Sequence, residues 1–323
     1  MEVTGEPLRH PLAHKFCAAL EHSRKDRYVV TQPAGMTMPS GFLADAGRIL
    51  DFPVRPDDVW VVSFPKSGTT WTQEMVWLLM NDRDFRTARQ VCLPERFPFL
   101  EYSALVPEEG KARIADTIEL AQRMTSPRLI KSHLPPALLP KQLWTVKPKI
   151  IYVARNPKDA ATSFYYHIRL MYDLKLPLEE YYEAFLANVV YYTPYWTNVL
   201  EFWKMRHEPN ILWITYEEMK KDLRAVIQKT ATFLGRIVTD EEVEPLEEHL
   251  SFSSMRQNPA TNYDGLVQRL RSTTGLPPVS QDLAFMREGE VGASRQRMSP
   301  EMDRRFDQWI QDNIQGTGYD GPV

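Results

Sequence analysis

Four short apolar runs, separated by longer stretches of helical spacing, are the main pattern along the chain. The runs are rich in β-branched and aromatic residues, which is typical of strands that are covered on both faces. They predict strands at 59–64, 128–131, 149–154 and 211–215. Apolar residues three and four positions apart predict helices at 70–80, 160–171, 178–204 and 223–234. Strands that alternate with helices indicate an α/β fold with a central, mostly parallel sheet and helices on both faces.

Polar residues suited to chemistry follow each of these four strands. Lys66, His133, Arg155 and Tyr216 all stand at or just after a predicted strand end. In open α/β sheets, ligands bind in the crevice beyond the carboxyl ends of the strands. We therefore expect four segments that are distant in sequence to meet in one crevice.

The turn after the first strand predicts a phosphate-binding site. Pro65 cannot extend a strand ladder, and residues 67–70 stand in the first turn of the following helix. Unpaired N–H groups and the positive end of the helix dipole favour an anion there, and Lys66 adds a full charge. Because the lysine precedes Gly68 and a first glycine is missing, the turn is P-loop-like but differs from the nucleotide pattern G-x-x-x-x-G-K-[ST].

Length and composition favour one domain that spans residues 1–323. The chain has 323 residues, of which 43% are hydrophobic, and no linker or repeat divides it. A formal net charge of -3 gives no overall positive field, so nucleic acid is not expected as a partner. The segment 1–40 is expected to form an N-terminal arm that contributes to the acceptor pocket described below.

The sequence predicts neither a membrane segment nor a metal site. No apolar run approaches the length of a membrane span, and the first residues lack the apolar region of a signal peptide. Two cysteines are too few for a disulfide framework, so a reducing compartment and hence the cytoplasm is expected. His10, His14 and His22 have near-helical spacing, but no acidic or cysteine ligands accompany them.

The phosphate-binding turn resembles that of the cytosolic sulfotransferases, which use 3′-phosphoadenosine 5′-phosphosulfate (PAPS) as sulfuryl donor. Three further segments carry the resemblance: Lys-Ser-His-Leu-Pro at 131–135, Arg-Asn-Pro-Lys-Asp at 155–159 followed by Ser163, and Phe-Met-Arg at 285–287 with Gly289 and Gly292. Together these segments extend from about residue 40 to about residue 310. The resemblance implies PAPS as co-substrate and a small-molecule hydroxyl compound as acceptor. No metal is expected, because no predicted strand ends in a carboxylate that could hold one.

The resemblance also implies roles for individual residues. His133 is expected to act as general base, with Lys66 and Lys131 as the other catalytic residues. The expected donor-binding residues are Lys66, Ser67, Gly68, Thr69, Thr70, Trp71, Arg155, Ser163, Tyr216, Ser251, Phe252, Arg287 and Gly289. Within this set, Arg155 and Ser163 would hold the 3′-phosphate, and Trp71 and Phe252 would stack on the adenine.

The residues themselves leave alternatives open. A lone histidine at the position of His133 is more often a structural hydrogen bonder. Arg155 could instead form a salt bridge to Asp159, and the two aromatic residues could equally belong to the core. His167, in an aromatic helix, is a rival general base. An apolar and aromatic acceptor pocket is expected from Phe42, Phe99, Tyr102, Tyr166 and Met171. This lining predicts a flat or lipophilic hydroxyl compound such as a phenol, steroid, retinoid or catechol.

Two departures from the family pattern affect the expectations. Glu288 stands where the family usually has a basic residue, and we expect its side chain to point to solvent rather than to pair with Arg295 or Arg297. The C-terminal dimerisation pattern is also lost, which leaves the oligomeric state open.

The alternative functions are dehydration through a labile sulfate ester, a nucleotide kinase and a non-catalytic nucleotide binder. A kinase would need a carboxylate for Mg²⁺ at a strand end, and no predicted strand ends in one.

Overall fold

The centre of the molecule is a sheet of four parallel strands. The structure is a computed structural model that describes residues 2–20, 28–106, 114–280 and 282–323. The central strands are β4 (Val59–Val62), β5 (Leu129–Ser132), β6 (Lys149–Ala154) and β7 (Ile211–Thr215), in the order β5-β4-β6-β7. The predicted parallel sheet is confirmed, although β4 ends two residues earlier than predicted.

Alternate residues of the central strands face two different hydrophobic cores. Val59 and Val61 of β4 point into one core, and Trp60 and Val62 point into the other. Because both faces are covered by helices, these strands are mostly apolar instead of alternating with polar residues. The fold is thus the predicted α/β arrangement, with the core divided into two layers by the sheet.

The helices lie before, between and after these strands along the chain. In chain order they are α1 (Pro11–Ala18), α2 (Phe42–Leu50), α3 (Thr69–Met80), α4 (Phe85–Gln90), α5 (Leu93–Arg96), α6 (Tyr102–Leu105), α7 (Thr117–Arg123), α8 (Leu143–Val146), α9 (Pro157–Tyr172), α10 (Leu178–Leu186), α11 (Tyr195–Lys204), α12 (Tyr216–Lys221) and α13 (Leu223–Leu234). The C-terminal part contains α14 (Asp240–Leu250), α15 (Phe252–Gln257), α16 (Pro259–Asn262), α17 (Asp264–Thr273) and α18 (Pro300–Ile314), with 3₁₀ turns at Pro136–Leu138 and Ala293–Gln296.

The helix predicted at 178–204 is wrong, because the structure has two helices there. Residues between α10 and α11 form a loop in which Tyr192 has a φ of 71° and Pro194 directly precedes α11. Proline lacks an N–H donor and is tolerated only in the first turn or before a helix, so the chain cannot continue as one helix. The break places Tyr191 and Tyr192 beside the central crevice.

An antiparallel sheet near the N-terminus was not predicted. It consists of β1 (Thr4–Pro7), β2 (Tyr28–Gln32) and β3 (Thr37–Pro39), paired in that order. These strands are short, and only their pairing with each other and with the loop before Pro194 gives them a partner: Thr37 N–H donates to the Thr193 carbonyl at 2.8 Å. Within the described residues, none of the helices combines the length and the apolar composition needed to cross a bilayer.

Candidate active site

A cavity of about 290 Å³ lies beyond the carboxyl ends of the central strands. Lys66, His133, Arg155 and Tyr216 all line it, although they follow four different strands. Their convergence follows from parallel topology, since the carboxyl ends of parallel strands meet at one edge of the sheet. The predicted meeting of these four segments is thus confirmed.

The phosphate-binding turn between β4 and α3 requires unusual backbone angles. Lys66 has a φ of 66° and Gly68 a φ of 105°. A Cβ atom at residue 68 would lie 3.0 Å from atoms of both Tyr216 and Met219, so only glycine fits without displacement. The Ser67 hydroxyl is buried and has no hydrogen-bond partner among the described residues. A buried donor and the free N–H groups of the first turn of α3 suit an anionic ligand.

Four cationic side chains gather around this turn. Burial, followed by the charges of Lys131, Arg155 and Arg287, lowers the pKa of Lys66 to about 7. Lys66 Nζ lies 4.0 Å from the ring centroid of Phe285 and 3.4 Å from its carbonyl oxygen. Such a concentration of like charges at a buried site is unfavourable unless an anion is bound there.

Arg155 lies at the end of β6 with its guanidinium largely shielded from solvent. Its side chain stacks over the Tyr216 ring at 4.1 Å and donates to the carbonyls of Lys66 at 3.1 Å and Glu290 at 3.0 Å. The distance to Asp159 is 4.0 Å, so a salt bridge is not its main interaction. Arg155 Nε is buried without a partner among the described residues, and Ser163 lines the same cavity.

His133 is held with one ring nitrogen against the protein. Its Nδ1 lies 2.8 Å from the Ser63 carbonyl oxygen, which can only accept, so Nδ1 carries the proton. The lone pair of neutral imidazole is then on Nε2, on the other side of the ring. Burial, followed by the charge of Lys131, lowers the pKa of His133 well below that of an ordinary histidine. The ring is therefore neutral at neutral pH and able to accept a proton.

Three further cavity residues lie near His133. Lys131 Nζ lies over the Phe99 ring at 4.3 Å, and the rings of Phe99 and His133 are 5.1 Å apart. His167 also lines the cavity, and burial lowers its pKa as well. Its Nδ1 has no hydrogen-bond partner among the described residues. His167 thus lacks the fixed tautomer that the Ser63 carbonyl gives to His133.

The C-terminal loop closes over the cavity and depends on a glycine. Gly289 has a φ of 70°, and a Cβ atom there would lie 2.3 Å from the ring of Phe252. The loop backbone therefore rests directly on a predicted adenine-binding aromatic. Asp159 fixes the end of this loop, since its carboxylate accepts from the N–H groups of Gly292 at 2.6 Å and Ser294 at 2.9 Å.

Glu288 does not point freely to solvent, so that expectation is wrong. Its carboxylate binds both Arg287 and Arg297. Arg297 in turn donates to the Tyr166 hydroxyl at 2.8 Å, and the Arg287 guanidinium lies 3.9 Å from the Tyr166 ring centroid. Two nearby arginines and a tyrosine make pairing more favourable for this carboxylate than hydration, which the sequence alone did not reveal.

Most of the predicted site residues line the cavity. Those that do are Lys66, Gly68, Thr69, Thr70, Trp71, Phe99, Tyr102, Lys131, His133, Arg155, Ser163, Tyr166, Met171, Tyr216, Phe252, Arg287 and Gly289. Ser67 lies in the turn with its side chain buried, and the Ser251 hydroxyl instead accepts from Ser254 N–H and so caps α15.

Phe42 and the described part of the N-terminal arm lie away from the cavity. Phe42 is 0% exposed in the hydrophobic core, so its predicted role in the acceptor pocket is wrong. The cavity lining contains no residue of 2–20 or 28–40. The arm contacts the cavity lining from behind, because Tyr28 stacks on the cavity residue Tyr191 with ring centroids 6.5 Å apart. His10 accepts from Leu12 N–H at the start of α1, and His22 lies outside the described residues.

Sequence reasoning missed Ser63, Glu101, Asp159 and Tyr192, each of which contacts a site residue. Ser63 acts through its backbone carbonyl and Tyr192 stands in a loop predicted as helix, so neither gave a signal. Asp159 was considered only as a partner for Arg155. Glu101 follows the apolar run 97–100, and a carboxyl group directly after such a run was the one available clue.

The fold and the site together define an α/β protein whose cavity is suited to an anionic ligand beside a neutral imidazole. Residues 56–318 match the family model described as a sulfotransferase domain. A luciferin sulfotransferase from Photinus pyralis is 36% identical over 326 residues, which cover 98% of this chain and 85% of that protein. Sulfotransferase 1E1 from Bos taurus is 32% identical, over 88% of this chain and 92% of that protein.

Solved structures agree with these relatives. Retinol dehydratase in complex with androsterone and the inactive cofactor PAP aligns with a TM-score of 0.89 and 29% identity, over 100% of this chain and 99% of that chain. Mouse sulfotransferase SULT7A1 complexed with PAP aligns with a TM-score of 0.68 and 27% identity, over 88% and 94% of the two chains. The chain belongs to the sulfotransferase family, which confirms the resemblance and identifies an enzyme.

Proposed function

We propose that this enzyme transfers a sulfuryl group from PAPS to the hydroxyl of a small lipophilic or phenolic acceptor, with His133 as general base. The observation that carries this proposal is the position of a neutral imidazole, fixed by the Ser63 carbonyl, in the same cavity as four basic side chains. The relatives are sulfotransferases, and three of the solved structures contain PAP.

The residues present fit the donor. The N–H groups of the first turn of α3 and the orphaned Ser67 hydroxyl would bind the 5′-phosphate, and Lys66 would hold the bridging oxygen. Arg155, whose Nε is free, would bind the 3′-phosphate together with Ser163 and Arg287. Trp71 and Phe252 stand at the cavity wall where an adenine would lie between them. When bound, PAPS supplies the sulfuryl group and a phosphate leaving group.

His133 would remove the proton of the acceptor hydroxyl through Nε2. The hydroxyl oxygen then forms a bond to sulfur, the bond between sulfur and the phosphate oxygen breaks, and that oxygen keeps the electron pair. Lys66 and Lys131 supply positive charge where the leaving phosphate and the transferring group develop negative charge. The deprotonated His133 is available at neutral pH because burial and Lys131 disfavour its cationic form.

The acceptor side of the cavity is apolar and aromatic. Phe99, Tyr102, Tyr166 and Met171 line it as predicted, and the unpredicted Tyr191 and Tyr192 add two more rings. Such a lining favours a flat or lipophilic compound, because apolar walls bind apolar ligands while a few polar groups orient them.

Metal is not expected in the reaction, and the cytoplasm is proposed as its location from the low cysteine content.

Dehydration is the second candidate function. The observation that favours it is the alignment with retinol dehydratase in a complex with retinol and PAP, which has a TM-score of 0.86 over 100% of this chain. In that outcome the sulfate ester would lose sulfate and a proton from carbon, giving an alkene. The donor site and the proton acceptor would be the same, so only the product distinguishes the two functions.

An acceptor panel assayed with ³⁵S-labelled PAPS tests both functions. The panel contains a phenol, a steroid, a firefly-type luciferin and retinol, with mass spectrometry of each product. A stable labelled ester from one or more acceptors supports sulfation. Consumption of retinol with label released as inorganic sulfate and an alkene product would support dehydration. Binding of PAP without turnover of any acceptor would contradict both and favour a non-catalytic binder.

A further inference from the structure

Glu101 is a buried carboxyl group directly behind the proposed general base. It stands immediately before α6, and its side chain is 0% exposed. Its Oε1 accepts from the backbone N–H of His133 at 2.7 Å and from the Tyr192 hydroxyl at 3.3 Å. Its Oε2 is buried without a hydrogen-bond partner among the described residues. A buried carboxylate in such surroundings requires nearby positive charge.

The segment that carries Glu101 runs alongside β5 and is hydrogen bonded to it. Lys131 N–H donates to the Pro98 carbonyl and Leu100 N–H donates to the Lys131 carbonyl, both at 2.9 Å. The Glu101 side chain accepts from the backbone N–H of His133, which follows Lys131 by two residues. The backbones of Lys131 and His133 are therefore both hydrogen bonded to the segment that carries Glu101.

Charge connects Glu101 with Lys131. Burial raises the pKa of the Glu101 carboxyl to about 7, and hydrogen bonds, first from the His133 backbone N–H, and then the Lys131 charge offset part of that rise. Burial likewise lowers the pKa of Lys131 to about 8, and the Glu101 charge offsets part of that fall. The other titratable groups at this end of the cavity are Tyr192 and His133. The charges of Lys66 and His167 in turn act on His133.

We propose that Glu101 is a positioning residue for sulfuryl transfer, which orients the His133 backbone and keeps Lys131 cationic through its buried negative charge. This inference rests on the proposed function for its role in turnover. When His133 takes the acceptor proton it becomes a cation close to Lys131. The negative charge of Glu101 offsets that accumulation of positive charge, in the way that preorganised charges stabilise a transition state.

The test in turnover is Glu101→Gln, which keeps an oxygen that accepts from His133 N–H but removes the charge. With saturating PAPS, we expect kcat to fall at least roughly 10-fold while both KM values change less than about two-fold, because binding groups are untouched. The basic limb of the kcat profile should move down by about one pH unit, since Lys131 loses its proton more easily without a nearby anion. A thermal unfolding curve reports whether the fold is intact.

A second test does not depend on turnover. In protein labelled with ¹³C at lysine Cε, the Lys131 signal is assigned by its loss in Lys131→Met and is then titrated by NMR. Glu101→Gln should lower its midpoint by about one pH unit, and Lys131→Met should raise the midpoint of the ¹³C-labelled Glu101 carboxyl by the same amount, because coupling between two sites is reciprocal. Glu217→Gln is the matched control, since Glu217 is also a largely buried carboxyl that accepts from a backbone N–H, at 2.9 Å. It should leave the Lys131 midpoint unchanged.

The titration decides the inference. An unchanged Lys131 midpoint in Glu101→Gln overturns it, whatever the effect on turnover. If Glu101→Gln does not fold, the Glu101 midpoint in wild type and in Lys131→Met decides instead, and identical midpoints overturn the inference. Absence of product from wild type with every acceptor would contradict the proposed function alone, because the titration would still report the coupling.

Discussion

The imidazole Nδ1 of His133 lies 2.8 Å from the backbone carbonyl oxygen of Ser63, a residue 70 positions earlier in the chain. A carbonyl only accepts hydrogen bonds, so this contact determines which ring nitrogen carries the proton. Ser63 directly follows β4 and His133 directly follows β5, and these two strands are neighbours in the sheet. The pairing of two strands thus fixes the tautomer of the proposed general base.

Replacement of His133 tests that assignment. We expect His133→Ala to reduce kcat by roughly 10²- to 10⁴-fold, the usual contribution of a general base, with little change in PAP affinity. Single-turnover kinetics and calorimetric PAP binding measure the two quantities. His167→Ala is the control variant, because His167 lines the same cavity without a fixed tautomer. A larger loss of kcat in His167→Ala than in His133→Ala would reassign the base.

Proton uptake on donor binding follows from the low pKa of Lys66. In the free enzyme Lys66 has a pKa of about 7, so above that pH it is largely neutral. A bound phosphate favours the cation and raises the pKa, so binding takes up a proton and affinity falls as pH rises through 7 to 9. Calorimetry of PAP binding at pH 8 in buffers of different ionisation enthalpy should show uptake of up to about one proton.

The variant Lys66→Met isolates this contribution. It should bind PAP more weakly and take up correspondingly less proton at pH 8 than wild type. Lys131 remains in this variant, with its pKa of about 8, and accounts for any residual uptake. Equal proton uptake in wild type and Lys66→Met would show that Lys66 does not contact the donor.

The ion pairs of Glu288 predict tighter donor binding when its charge is removed. Glu288 binds Arg287 and Arg297, so a donor phosphate that binds Arg287 as proposed would compete with Glu288 for it. Because the side chains are partly exposed, we expect Glu288→Gln to lower the PAP Kd by at most about 5-fold, and less at high salt. Glu183→Gln, which breaks an exposed pair with Arg305, is the control and should not change the Kd. Weaker binding in Glu288→Gln would mean that Glu288 orients Arg287 for the phosphate.

Alanine variants of two glycines in the C-terminal loop distinguish the cost of backbone strain from the cost of a steric clash. Gly289 and Gly292 have similar φ values of 70° and 77°, but only a Cβ at residue 289 would meet the Phe252 ring. We expect each alanine variant to lose about 1 kcal/mol of unfolding free energy from the left-handed backbone. Gly289→Ala should lose more, and it alone should weaken PAP binding. Urea unfolding measures the free energy of unfolding, and calorimetry measures the affinity for PAP. Equal effects of the two variants on PAP binding would indicate that Phe252 does not contact the donor.

Chelation tests the expected independence of metal. Among the described residues, no group of three or more histidine, cysteine, aspartate or glutamate side chains is placed to hold a metal ion. Since the transferred group is expected to be stabilised by lysines, activity should persist after dialysis against EDTA. Restoration of a lost activity by added Mg²⁺, but not by buffer alone, would show that the reaction depends on a metal.

Local patterns in the sequence determined the framework of this protein. Strands β6 and β7 begin and end where predicted, and so does α13, which ends before Gly235 with a φ of 72°. Strand periodicity, helix periodicity and glycine positions act over a few residues, so one sequence reveals them. The phosphate-binding turn is of the same kind, because Lys66 and Gly68 are close in sequence.

Only the tertiary structure decided how distant residues complete the site. The division of 178–204 into two helices, the burial of Phe42 and the pairing of Glu288 with Arg297 depend on neighbours brought together by folding. The contacts of His133 with Ser63 and Glu101 are of this type as well, since they cross 70 and 32 positions of sequence. Tertiary packing overrides local preference where a side chain finds a better partner far along the chain, and that partner is not visible in a local pattern.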